Sequence, residues 1–268
     1  MTGVKKSWIA ELLAFERDDD VVDDDVFVVP EPKGGRGRLF GGMIAAQALG
    51  AAGLTVEPDK LPQSLHSYFV SGGRFGVELQ FRVERTRDGR SFDTRRVTAV
   101  QEDMVILEMI ASFHRPETGA DWHPPAPTSV ALGDAAPKDP GLSITDHLEI
   151  RTAVTDSGAF AVPPYWVRFR DSIEDDPLTR ACALTFVTDL GPVPAARPPG
   201  TPLRTDIGYA ASLDHSVWFH RPFDPAQWHR YEVHAANNSD NRGLVVGSMY
   251  TGAGRLVASM TQEALWRL

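Results

Sequence analysis

Between Ser64 and Phe113 apolar residues gather in four β-rich runs: Ser64 to Val70, Val77 to Arg85, Phe92 to Gln101 and Val105 to Phe113. Each has the length and residue types of a strand. Gly72-Gly73, Asp88-Gly89 and Glu102-Asp103 part them, and such pairs favour turns, so the runs predict an antiparallel meander. Upstream, Met43 to Ala52 is an unbroken run of small and apolar residues, preceded by glycines at 34, 35, 37, 41 and 42. With no charged face, that run predicts a helix lying close against a sheet and buried there. A shorter apolar stretch, Ile9 to Phe15, is interrupted by Glu11 and predicts an amphipathic opening helix. The acidic run Asp18 to Asp20 and Asp23 to Asp25 reads as a solvated turn leading into the strand Val26 to Pro30.

The same order returns later in the chain. Arg115 to Asp146 is rich in proline, alanine and aspartate without periodicity, and predicts a linker. Beyond it come a strand over Tyr165 to Arg170, a helix over Pro177 to Leu190, a Pro/Gly-rich loop, and strands over Ala211 to Phe219, His229 to Ala236, Gly243 to Tyr250 and Leu256 to Leu265. Two letter matches set the copies in register: His66-Ser67 recurs as His215-Ser216, and Asp88-Gly89-Arg90 as Asp240-Asn241-Arg242, with Arg115 and Arg267 closing the two copies. The expected organisation is a first repeat over residues 1–115, a linker over 116–146 and a second repeat over 147–268. Its class is α+β, a long helix packed on an antiparallel sheet, made twice and fused.

Composition narrows the function. The 268 residues are 42% hydrophobic and 24% charged, as in ordinary globular proteins, and the formal net charge of −9 argues against broad binding to nucleic acid or anionic membranes. No apolar run reaches the roughly 18 residues of a membrane span, so a soluble protein is expected. The single cysteine, Cys182, cannot form an internal disulfide, which fits a reducing cytoplasm. Its surroundings, Arg180-Ala181-Cys182-Ala183-Leu184, predict a small buried side chain rather than a nucleophile. Metal-ligand spacing, Gly-x-Ser-x-Gly, a P-loop and a dinucleotide fingerprint are all absent, so neither a metal nor an organic cofactor is expected.

Five ordered motifs carry a family resemblance. They are Gly41-Gly42-Met43-Ile44-Ala45-Ala46-Gln47-Ala48, Leu65-His66-Ser67-Tyr68-Phe69, Arg87 to Val97, Leu213-Asp214-His215-Ser216-Val217-Trp218-Phe219-His220-Arg221-Pro222, and Leu256 to Glu263. Together, from about Gly34 to the end, the chain resembles the acyl-CoA thioesterase II family. The resemblance implies a double hot-dog fold and hydrolysis of fatty acyl-CoA, medium- to long-chain, to free acid and CoA. It also implies a water held in the second repeat by an aspartate, a hydroxyl residue and a glutamine. The matching positions are Asp189 in Thr188-Asp189-Leu190-Gly191-Pro192-Val193, Ser212 two places before Asp214-His215-Ser216, and Gln262 before Glu263. A homo-oligomer, a dimer or higher, is expected as well.

The chemistry is reasonable on its own terms. A thioester carbonyl is electrophilic and its thiolate leaves readily, so a positioned water, a base and donors for the oxyanion suffice without a covalent nucleophile. Asp189 would take the proton, Ser212 would donate and accept at once, and Gln262 would fix the water's lone pairs. Backbone N–H groups at Gly41, Gly42 and Met43, opening the small-residue helix, are the candidates for substrate and oxyanion binding. Arg36, Arg38, Arg87, Arg90, Arg95 and Arg96 fit either CoA phosphates or solvated surfaces. Trp218, Phe219 and Trp228 fit core, interface or tunnel wall, and the duplicated His66 and His215 read as structural. Two rival functions remain: an enoyl-CoA hydratase, for which Asp224 and His229 have suggestive spacing in an unsuitable turn, and a non-catalytic acyl-CoA binder.

Overall fold

A computed structural model of the chain describes residues 7–17, 25–30, 37–127, 131–140, 143–153, 162–201 and 209–267. The expected acidic turn, apart from Asp25, and Gly34, Gly35 and Arg36 lie outside the described residues. In chain order the elements are α1 (Trp8–Leu12), β1 (Glu16–Arg17), β2 (Asp25–Val29), α2 (Gly41–Gly53), β3 (Leu61–Phe69), β4 (Leu79–Asp88), β5 (Phe92–Gln101) and β6 (Met104–His114). After these come β7 (Ala136–Lys138), β8 (Leu148–Thr152), β9 (Tyr165–Phe169), α3 (Pro177–Thr188), α4 (Pro192–Ala195), β10 (Tyr209–Ser212), β11 (Asp214–Phe219), β12 (His229–Ser239), β13 (Arg242–Thr251) and β14 (Leu256–Arg267).

All the strands belong to one sheet, ordered β1-β2-β4-β5-β6-β3-β11-β14-β13-β12-β9-β8-β7, with β10 also paired to β14. Each meander closes on its own first strand, and β3 pairs antiparallel with β11 across the middle, from Asp214 opposite Tyr68 to Trp218 opposite Ser64. The two halves thus cover each other's inner sheet edge. On the inner face lie α2 and α3, packed against each other. Every residue of α2 from Gly42 to Ala52 is buried, as its small side chains require. Asp176 caps α3, accepting from the Thr179 N–H at 2.7 Å, with Pro177 in the first turn. Cys182 is fully buried in α3, and burial pushes its thiol well above the usual range.

Three sequence expectations change. The linker is not wholly aperiodic: it holds a 3-10 turn at Leu132–Asp134, the edge strand β7 and a second 3-10 turn at Ser143–Thr145, and β8 begins at Leu148, so two strands lie where none is predicted. The second helix stops at Thr188, with Asp189 as its C-cap, because Gly191 takes φ 101° and Pro192 opens the separate turn α4. The His66/His215 register is wrong by one residue. His66 faces Ser216 on the outer, exposed side, whereas His215 faces Ser67 on the inner side and is 0% exposed. Side chains alternate faces along a strand, so an offset of one residue exchanges the two sides of the sheet.

Candidate active site

Three element ends converge between the halves. Asp189 is placed by the end of α3, and its Oδ2 accepts the N–H of Gly42, in the first turn of α2, at 2.6 Å. Only glycine permits this approach: a Cβ on Gly42 would stand 2.7 Å from the Phe40 ring and 2.8 Å from both the Asp189 Cβ and the Phe186 carbonyl oxygen. The third end is a break in the strand predicted over Ala211 to Phe219. Ser212 opposes Ala264 while Ser216 opposes Thr261, so one extra residue is inserted at Leu213, whose N–H donates to Glu263 O at 2.9 Å. Asp214 Oδ1 accepts the Glu263 N–H at 2.6 Å and holds the bulge. In a regular strand Ser212 would share the outer face of Asp214 and Ser216. The bulge turns it inward, beside Gln262.

Ser212 Oγ lies 3.5 Å from Asp189 Oδ1 and accepts from Gln262 Nε2 at 2.7 Å. The structure therefore brings together all three residues singled out in the sequence. Gln262 is 0% exposed and its Oε1 sits 2.7 Å from His215 Nδ1, so its amide faces the hydroxyl and the imidazole rather than open space. His215, set aside as structural, is thus in contact with the trio. Its Nε2 lies 3.0 Å from Thr188 Oγ1.

Burial dominates the electrostatics. It lifts the Asp189 carboxyl to about 7, against the opposing pull of Gln262, the Gly42 N–H and Ser212. Burial also drops His215 to about 4, although its bond to Gln262 favours the charged ring. A base near 7 beside a neutral imidazole can take a proton from water at neutral pH.

A cavity of about 640 Å³ opens beside Asp189 and Ser212. Leu39, Phe40, Ile44, Phe69, Leu190 and Leu265 make its apolar wall, and Arg38 and Tyr209, hydrogen-bonded to each other, stand on its lining. Gly41 lines it too, but Met43 does not, and the Gly42 N–H is committed to Asp189 rather than pointed at a ligand. Trp218 instead packs its edge on His66, and Trp228 lies beneath the guanidinium groups of Arg151 and Arg168. Of the arginines singled out and described, only Arg38 reaches the cavity. Arg95 is buried and donates to Thr55, Arg87 O, Thr94 O and Asp88, while Arg96 pairs with Glu108. Asp224 and His229 lie away from the cavity, with His229 Nδ1 bonded to Gln227 O at 2.9 Å. Among the described residues there is no helix long and apolar enough to cross a membrane and no cluster of metal-ligating side chains.

Models of an acyl-CoA thioesterase N-terminal domain and C-terminal domain match residues 29–114 and 124–266. The chain belongs to the acyl-CoA thioesterase family. It is 33% identical to mouse (Mus musculus) acyl-coenzyme A thioesterase 8 over 263 residues, 86% of this chain and 81% of that one. Acyl-CoA thioesterase 2 of Haemophilus influenzae is 29% identical over 267 residues, 92% and 93% of the two chains. Among solved structures, the acyl-CoA thioesterase II TesB2 of Mycobacterium marinum superposes with a TM-score of 0.79 at 34% identity, covering 97% of this chain and 96% of that one. A hot-dog protein from Alicyclobacillus acidocaldarius, 18% identical with a TM-score of 0.73 over 98% and 99% of the chains, shares the fold alone. The thioesterase family fold is the double hot-dog expected from the motifs, a large antiparallel sheet around two helices.

Proposed function

We propose that this family member hydrolyses acyl-CoA with a water activated by Asp189. The observation carrying the proposal is a carboxylate only 5% exposed, lifted to about 7, at the wall of an apolar cavity and 3.5 Å from a hydroxyl that can share the same water. The water sits against Asp189 Oδ1 and Ser212 Oγ. As its oxygen bonds to the thioester carbon, its proton passes to Asp189, and the carbonyl pair becomes an oxyanion near Gly41 at the positive end of α2. When the oxyanion collapses the C–S bond breaks. Protonated Asp189 gives its proton to the departing sulfur, leaving a carboxylic acid and CoA thiol, so one water is consumed and the base is restored. Gln262 acts on this water through Ser212 and Asp189.

The apolar wall and the cavity volume support medium- to long-chain acyl groups as substrates, and Arg38 at the lining supports an anionic head group outside. We extend the proposal to a cytoplasmic homo-oligomer with repeats over 1–115 and 147–268 joined by 116–146. Purified protein given a series of saturated acyl-CoA lengths should release free thiol, with a maximum at medium or long chains. Addition of water to crotonyl-CoA without thiol release would instead identify the hydratase, and binding without either reaction the non-catalytic binder.

A further inference from the structure

The buried polar chain behind Asp189 has a direction, and one residue sets it. Gln262 presents two chemically opposite ends, an oxygen that only accepts and a nitrogen that only donates. If Oε1 faced Ser212, the serine proton would turn to Gln262 and away from Asp189. If Nε2 faces Ser212, the serine oxygen is already occupied as acceptor, and its proton is left for the carboxylate or the water. Whichever end His215 Nδ1 binds decides between these arrangements.

We propose that neutral His215 is a positioning residue, carrying its proton on Nδ1 and donating it to Gln262 Oε1, so that Gln262 Nε2 is held toward Ser212 and Asp189. The inference rests on the proposed hydrolysis at Asp189. The contacts close consistently: Thr188 Oγ1 at 3.0 Å meets His215 Nε2, His215 Nδ1 meets Gln262 Oε1 at 2.7 Å, and Gln262 Nε2 meets Ser212 Oγ at 2.7 Å. With the ring neutral and Nδ1 protonated, Nε2 is an acceptor, so the single Thr188 hydroxyl proton, which also has the Thr185 carbonyl within 3.0 Å, must turn from that carbonyl to the ring. All the protons in the chain then point from Thr188 toward Asp189. His215 and Gln262 are both 0% exposed, so solvent cannot supply an alternative partner to either. In the first half His66 faces outward and bonds Ser216, so this arrangement exists once.

Two measurements test it. Long-range 1H–15N spectra of the wild-type imidazoles should give His215 as the Nδ1–H tautomer, the minor form in water, unchanged from about pH 8 to pH 5. The Nε2–H tautomer would overturn the inference whether or not any variant folds. His215→Leu should lower kcat about 10- to 100-fold with KM little changed and shift the acid limb of the rate profile upward, because the donors to Asp189 are no longer held. His215→Asn, whose amide nitrogen can stand where Nδ1 stood, should recover most of the loss. A folded His215→Leu protein with wild-type kcat and an unmoved acid limb would refute the inference alone. Wild-type protein with the Nδ1–H tautomer but no thiol release from any acyl-CoA would refute the hydrolysis instead.

Discussion

Removing the charge from Asp189 should make the protein more stable while making it inactive, and the two effects should separate with pH. The ordinary carboxyl value of 3.8 becomes about 7 in the folded state because burial penalises the charged form. Between those values the folded protein keeps a proton that the unfolded chain has lost. Stability therefore falls as pH rises through this window and is flat above it. Across roughly three pH units, at ~1.4 kcal/mol each, the ionised carboxylate costs the fold about 4 kcal/mol by pH 8. Asp189→Asn does not titrate. Its Oδ1 can still accept the Gly42 N–H, and its amide nitrogen faces Ser212, whose oxygen then accepts instead of donating, so the fold-holding bond to Gly42 survives while the one to Ser212 reverses. Urea denaturation of both proteins should give a stability gap that widens in favour of the variant by about 3 kcal/mol between about pH 5 and pH 8. Thiol release by the variant should fall about 100- to 10,000-fold. A gap independent of pH would refute the buried-base reading, as would a variant with near wild-type turnover.

Three further outcomes follow from the same geometry. The rate profile of kcat/KM should rise about tenfold per pH unit below about 7 and level off above it, since only ionised Asp189 accepts a proton and His215, near 4, does not titrate in that range; a flat profile from about pH 5 to pH 8 would contradict this. Ser212→Ala should cut kcat about 10- to 1000-fold, and Ser212→Thr, which keeps the oxygen, should retain most of it, as read by steady-state thiol release. Gly42→Ala should cost about 1–3 kcal/mol in denaturant unfolding and lower kcat as well, because its Cβ would press on a backbone oxygen and on the Asp189 side chain, neither of which is a flexible chain end; unchanged stability would mean that α2 and α3 can separate freely.

Much of this arrangement was legible from residue patterns. β-rich runs parted by turn pairs predicted β4, β5 and β6, each of which sets one face on the core and one outward, and the unbroken run of small residues predicted a helix without a solvent face. β8 carried the same signal in five residues, Leu-Glu-Ile-Arg-Thr, but was overlooked beside the proline-rich stretch before it. The bulge at Leu213 was not legible at all. Nothing in Ser-Leu-Asp marks an extra residue, which exists only relative to the partner strand β14. The same limit misled the reading of the histidines: identical letters suggested identical roles, whereas burial on opposite faces of the β3–β11 pair gives one an outer hydroxyl contact and the other the Gln262 amide. Gln262 itself was recognisable as a polar side chain in an otherwise apolar strand, yet its partners come from elements distant in sequence.

The position of Asp189 poses an electrostatic problem that the surrounding fold answers in parts. A helix C-terminus exposes carbonyl oxygens and disfavours a carboxylate. Here the Thr188 carbonyl accepts the Tyr231 hydroxyl at 2.6 Å and the Leu190 carbonyl accepts the Tyr165 hydroxyl at 2.6 Å, so the two carbonyls flanking the base are occupied. Those two tyrosines stack edge to face with centroids 5.6 Å apart, deep in the second half. Meanwhile the N-terminus of the other helix points a donor at Asp189 Oδ2. These contributions favour the anion, but burial outweighs them, and the balance leaves the carboxyl near 7 rather than near 3.8. Stronger donation would keep it ionised but too weak to take a proton from water, and weaker donation would leave it protonated at neutral pH. The meeting of α2, α3 and the bulged strand is therefore what poises this carboxylate near 7 for the proposed role of base, with Gly42 supplied by the first half and Asp189 by the second.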